Sequence, residues 1–200
     1  MALSFDNVSF HYGETEVLRD FSLTLPGRGV VCFLGESGCG KTTLLRLLLG
    51  LEAPERGAVT GRDGLRFAAV FQEDRLLPWL TVRDNLAVPL RGEKAAAAVE
   101  KALRLVGLEH AGELYPDELS GGMKRRAAIA RALAYGGDVL VLDEPFTGID
   151  EARWQELACL LRKEYEEKLI LLVTHVRAEW EAFEAKTYAF APGPLSGRWE

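Results

Sequence analysis

This 200-residue chain has no long apolar run. Its most apolar stretch, residues 43–51 (TLLRLLLGL), carries Arg46 and falls far short of the about 20 residues a spanning helix needs. Any membrane role therefore passes through a partner. The opening MALSFDNVSF has no basic segment followed by an apolar one, so no signal peptide is expected. Cysteine is scarce. Cys32, Cys39 and Cys159 offer no zinc spacing, and their odd count does not suggest a disulfide framework. Reduced thiols in a cytosolic setting are the expectation. There is no basic block, and the net charge is -6, which argues against nucleic acid as the main ligand. Internal repeats are absent too. The nearest approach to low complexity, the alanines at 95–98, sits inside a helical pattern.

What is present suits one domain, or one domain with a small subdomain. Hydrophobic residues make up 48% of the chain, and charged residues of both signs make up 27%. Alternating apolar residues predict strands over 3–10 and 17–25, and GVVCFL at 29–34 predicts a short buried one. A helix is expected over 41–49. Val59 and residues 67–71 read as a pair of strands joined by the Arg62-Asp63-Gly64 turn. The middle, about 76–117, reads as helical. Thr81 with Asp84 resembles a capping box, and Gly107 is placed to cap a helix over 93–106. Further helices are expected over 121–135 and 151–167, and buried strands over 139–142 and 169–173. Strands alternating with helices imply an α/β fold with a parallel sheet, and the helical middle reads as an insertion.

The chemistry starts at the end of the buried strand 29–34. Gly35, Glu36, Ser37, Gly38, Cys39, Gly40, Lys41 and Thr42 fit G-x-x-x-x-G-K-[ST] at every fixed position, between a strand and a helix. Such a loop curls its N–H groups onto phosphate oxygens, and the helix N-terminus adds its dipole. Lys41 brings a positive charge to the β- and γ-phosphates, and the Thr42 hydroxyl suits Mg²⁺; Thr43 follows in the same turn. A second strand, VLVL, delivers Asp143 and Glu144 at its C-terminal edge, where open α/β sheets bind ligands. Asp143 is placed to hold Mg²⁺, and Glu144 to act as general base toward water.

A third motif sets the class. Leu119-Ser120-Gly121-Gly122-Met123 resembles the signature sequence of the ABC ATPases, and the resemblance extends over almost the whole chain. It implies a P-loop NTPase core, an N-terminal antiparallel β subdomain and a helical subdomain over about 76–137, flanked by 1–75 and 138–200. It also implies that ATP and Mg²⁺ are bound and ATP hydrolysed. Tyr12 resembles the family's adenine-stacking aromatic. Gln72 resembles the glutamine that reaches Mg²⁺ and the water, and His175 the histidine that contacts the γ-phosphate. Residues Thr147-Gly148-Ile149-Asp150 fall where the family's D-loop lies. Three departures stand out. Met123 replaces a glutamine, Gly148 and Ile149 replace alanine and leucine, and the short stretch after His175 leaves no room for a C-terminal regulatory domain.

The resemblance further implies a head-to-tail dimer in which Ser120, Gly121 and Gly122 of one chain reach the nucleotide of the other. Its partners would be a transmembrane permease and, indirectly, a solute-binding protein. The subunit would sit on the cytoplasmic face of the membrane. The run from Phe71 to Asn85, FQEDRLLPWLTVRDN, is similar to ATPase subunits of importers for nitrate, sulfonates and taurine. Rival readings are a soluble ABC protein acting on DNA or ribosomes and a nucleotide sensor without turnover. The first lacks its coiled coil or second cassette, and intact Lys41, Asp143, Glu144 and His175 argue against the second. Two residues carry local alternatives. Cys39 is expected to react with a maleimide unless MgATP protects it, or else to be an inward filler. Trp79 is expected to contact the permease, or else to pack inside the helical subdomain.

Overall fold

Residues 3–199 are described by a computed structural model; Met1, Ala2 and Glu200, the ends of the expected domain, lie outside the described residues. Strands β1 (Ser4–Tyr12) and β2 (Thr15–Thr24) form an antiparallel hairpin. β3 (Gly29–Leu34) matches its expected bounds and leads through the glycine loop into helix α1 (Lys41–Leu48). β4 (Arg56–Thr60) then pairs with β1, whereas β5 (Phe67–Val70) joins a different sheet. Helices α2 (Val82–Ala87), α3 (Ala95–Leu105) and α4 (Gly121–Tyr135) fill the middle. β6 (Val139–Asp143), α5 (Glu151–Glu164), β7 (Leu169–Val173), α6 (Arg177–Ala182), β8 (Lys186–Ala189) and β9 (Leu195–Trp199) complete the order.

The larger sheet runs β5-β6-β7-β3-β8 and is parallel throughout. The smaller one runs β4-β1-β2-β9; it is antiparallel except for β9, which lies parallel to β2. The runs VLVLD and LILLV are buried at every position, as parallel strands covered on both faces must be. Their alternate residues feed two cores. Val31, Phe33, Val141 and Leu171 share one with Phe5, Phe21, Leu44 and Leu47 from the smaller sheet and α1. Cys32, Leu140, Leu142 and Leu172 share the other with Leu86, Leu103, Ile129 and Leu157 from the helices.

One expectation is corrected here. The strands at Val59 and 67–71 do not pair. The turn forms, with the Leu65 N–H donating to the Arg62 carbonyl at 3.0 Å, but it passes the chain from one sheet to the other. β4 lies instead against β1, so close at Gly57 that a Cβ would stand 2.3 Å from the Asn7 carbonyl. The α3 terminus behaves as expected. Gly107 has φ 65, and the Leu108 N–H returns to the Leu103 carbonyl at 2.9 Å. Thr81 caps α2 by accepting the Asp84 N–H at 3.1 Å.

The loop before α2 is held by one buried side chain. Asn85 accepts the Leu77 N–H at 2.7 Å, and its amide donates to the carbonyls of Leu77, Leu80 and Thr81 at 2.9 to 3.1 Å. Leu76 packs onto the helical core, and Trp79 projects outward with 69% of its surface exposed. The structure therefore decides against an internal Trp79. Asn85→Ala strands these buried backbone groups, at a cost of about 2 kcal/mol. In a chain of this length it should lower Tm by roughly 4–8 °C in a thermal melt. An unchanged melt would mean that the loop holds itself.

Candidate nucleotide-binding and hydrolysis site

The sheet order makes the site. β3, β7 and β6 are successive neighbours, so their C-terminal ends open side by side. A cleft of about 520 Å³ lies there, lined among others by Tyr12, Lys41, Thr42, Gln72, Asp143, Glu144 and His175. The glycine loop wraps its near side. Gly40 has φ 103, and a Cβ there would lie 2.9 Å from Val17, so only glycine fits the entry to α1. The Lys41 ammonium donates to the carbonyls of Gly35 at 2.7 Å and Glu36 at 2.8 Å, which draws the loop shut around it. Ser37, Gly38 and Thr43 line the same cleft.

On the far side the Thr42 hydroxyl donates to Asp143 Oδ2 at 3.0 Å. Burial raises the Asp143 pKa, the Thr42 hydrogen bond opposes that, and the Glu144 charge adds to it. Two hard oxygens side by side at a phosphate loop fit Mg²⁺, which takes few protein ligands and completes its shell with phosphate and water. Glu144 stands at φ 50, a left-handed conformation that costs a non-glycine residue about 1–2 kcal/mol. Its N–H bonds the Val173 carbonyl at 2.8 Å, and its carboxylate meets His175 Nδ1 at 3.0 Å. That hydrogen bond, reinforced by the carboxylate charge, raises the His175 pKa. Tyr12 is exposed at the rim, edge-on to Phe10 at 4.9 Å, with its hydroxyl donating to Glu52 at 3.4 Å.

Ser120, Gly121 and Gly122 do not line this cleft. Ser120 caps α4 by accepting the Met123 N–H at 3.3 Å, and a Cβ on Gly122 would meet the Gly148 carbonyl at 2.8 Å. Signature and D-loop are thus packed against each other. Gly148 has φ 79, which accounts for glycine where alanine is usual. Asp150 caps α5 by accepting the Arg153 N–H at 3.0 Å.

Sequence reasoning missed Thr15 and Val17, which also line the cleft, and Glu179; Thr147, expected in the D-loop, lines it too. Glu179 is buried, accepts the Thr174 hydroxyl at 2.5 Å, and so braces the turn that carries His175. The sequence carries no signal for it, since Glu179 stands beside the equally acidic Glu181 and Glu184 and only the fold buries it.

A phosphate loop, a paired carboxylate strand end and a histidine on adjacent parallel strands define a P-loop ATPase. The chain belongs to the ABC transporter family, whose sequence pattern matches residues 18–147. It is the ATP-binding, ATP-hydrolysing subunit of that class of transporter. It is 43% identical over 201 residues to an aliphatic sulfonates import ATP-binding protein of Pseudomonas aeruginosa, covering 96% of this chain and 73% of the relative. A sulfate/thiosulfate import ATP-binding protein of Synechococcus elongatus is 39% identical over 198 residues, covering 92% of this chain and 58% of its own. Among solved structures, a dimeric ATP-binding cassette in a post-hydrolysis state, bound to ADP and Pi, superposes with TM-score 0.85. It is 26% identical and covers 97% of this chain and 95% of its own.

The thiols give a direct check. Cys39 is only 5% exposed and belongs to the inner core; its sulfur would stand 2.8 Å from a Cβ on Gly35. The expectation of a reactive loop thiol is therefore corrected to the inward filler. Burial pushes the Cys32 thiol up to about 12, so it stays protonated. Only Cys159 is exposed. Mass-spectrometric mapping after brief maleimide treatment should find Cys159 modified first, with Cys39 slow whether or not MgATP is present. Fast labelling of Cys39 that MgATP blocks would contradict this packing.

Proposed function

We propose that this subunit powers the import of a small oxyanion solute, most specifically an aliphatic sulfonate, as one half of an ATPase pair beneath a permease. The observation that carries the reading is 43% identity, across 96% of this chain, to an import protein for aliphatic sulfonates. The subunit would work at the cytoplasmic face of the membrane, held there by the permease and served by a solute-binding protein outside.

The geometry supports the following roles. Lys41 leaves the carbonyls of Gly35 and Glu36 for the β- and γ-phosphates of ATP, and the loop N–H groups complete the cradle. Thr42, Asp143 and Gln72 would hold Mg²⁺, which would supply positive charge against the phosphates. Tyr12 stacks on the base. Glu144 accepts a proton from water as the water oxygen bonds to the γ-phosphorus and the bond to ADP breaks. His175, steadied by Glu144, donates toward the γ-phosphate. Ser120, Gly121 and Gly122, facing away from their own cleft, serve the partner copy's nucleotide.

Glu144→Gln should retain ATP affinity, lower hydrolysis by about a hundredfold or more, and accumulate a dimer with ATP. Turnover of radiolabelled ATP and size-exclusion chromatography read the two effects. Hydrolysis near the wild-type rate would remove Glu144 from the base role.

The permease is expected on the groove of about 450 Å³ formed by Ala69, Leu77, Val88, Pro89 and Tyr135, with exposed Trp79 two residues beyond Leu77. An unpaired apolar patch of this kind marks an interaction surface, and tryptophan is a common anchor. In proteoliposomes carrying permease and binding protein, ATP-driven uptake should follow alkanesulfonate and not nitrate. Trp79→Ala should cut uptake while leaving Tm within about 2 °C, as an exposed substitution does. Uptake of nitrate alone would overturn the solute, and undiminished uptake by the variant would overturn the docking surface.

A further inference from the structure

Gln72 sits on a loop whose own side chains contribute the Arg75 guanidinium 4.1 Å from the Phe71 ring but no hydrogen bond to the Gln72 backbone among those described. The backbone of 71–75 is held instead from α4. Arg125, only 5% exposed, donates to the Phe71 carbonyl at 2.6 Å and to the Gln72 carbonyl, and lies 3.2 Å from the Asp74 carboxylate. Arg131, six positions further along α4, donates to the carbonyls of Asp74 at 2.9 Å and Arg75 at 2.7 Å. Arg75 is itself left-handed, at φ 48, so this segment is kept in a shape it would not adopt freely.

A guanidinium spends its planar fork on two carbonyls only where position matters, because an ion pair alone needs just the charge. Burying that charge is unfavourable unless its hydrogen bonds are made. Here the two terminal nitrogens of Arg125 bond the backbone at Phe71 and Gln72, while its Nε is left without a partner. Arg125 also lies in the second turn of the helix that opens with Gly121 and Gly122. One helix therefore carries, at its start, the surface presented to a partner's nucleotide and, one turn on, the hold on its own chain's Gln72.

We propose that Arg125 is a positioning residue for Gln72, transmitting the attitude of α4 from the signature end to the glutamine of the same chain. The inference rests on the role proposed above for Gln72. When α4 shifts, the two carbonyls shift with the fork, and Gln72 enters or leaves its place in the cleft. Asp74 balances the buried charge and does not itself place the glutamine.

The test is a double-mutant cycle. Arg125→Lys keeps the charge opposite Asp74 but cannot span both carbonyls. It should lower kcat for ATP about tenfold, the scale expected for a misplaced reacting group. The Kd for ATP, from equilibrium binding, should stay within about twofold, because the phosphate loop is untouched. Arg125→Lys combined with Gln72→Ala should be no slower than Gln72→Ala alone, since residues acting through one another are not additive. Asp74→Asn, which removes the ion pair and leaves both carbonyl bonds, should hydrolyse ATP near the wild-type rate. If Arg125→Lys loses its cooperative melt, the neutral pair Arg125→Gln with Asp74→Asn carries the same cycle. Multiplicative losses in the double variant, or Asp74→Asn falling as far as Arg125→Lys, overturn the proposal. A Gln72→Ala variant with undiminished turnover overturns instead the role of Gln72 on which it rests.

Discussion

Thr42 and Asp143 stand 101 residues apart and meet through a 3.0 Å hydrogen bond. That contact exists only because β3 and β6 flank β7 in one parallel sheet. Parallel neighbours cannot be joined by tight turns; each needs a crossover long enough to carry a helix. The requirement explains the architecture. The connection from β5 to β6 takes in residues 71–138, so three helices fit into one crossover without disturbing strand register. The ends of β3, β6 and β7 supply the phosphate loop, the carboxylate pair and the histidine, while the insertion carries Ser120, Gly121 and Gly122 at the start of α4.

The site was legible in the sequence where its signals are local. The glycine loop, the apolar run before Asp143 and the LILLV strand before His175 each contain their own evidence, and the strands lie where alternation and burial put them. What was not legible depends on distant partners. Lys186–Ala189 and Leu195–Trp199 are short, are separated by Pro192-Gly193-Pro194, and become strands only against β3 and β2. The segments at 56–60 and 67–70 read as strands, but nothing in them states that they belong to different sheets. Cys39 shows the same limit at one residue. Its place in the loop suggested a reactive thiol, whereas its burial follows from Phe190, far along the chain, closing over Gly35.

The arginines of α4 show how the helical insertion is joined to the rest. Arg125 and Arg131 donate to carbonyls in 71–75, and Arg126 donates to those of Val106 at 2.8 Å and Gly107 at 3.1 Å, at the end of α3. Burial lowers the pKa of Arg126 and of Arg131. In each case the acceptor is a backbone carbonyl left over where regular structure stops, such as the last turn of α3. Apolar packing alone would hold α4 through area, which is indifferent to small rotations. Hydrogen bonds from three planar forks are directional and fail when the helix turns relative to the loops it holds. The insertion and the core share one continuous apolar cluster, so the two stay together. Because the arginine bonds are directional, the loops must follow the helix, and a change at Ser120 is felt at Gln72.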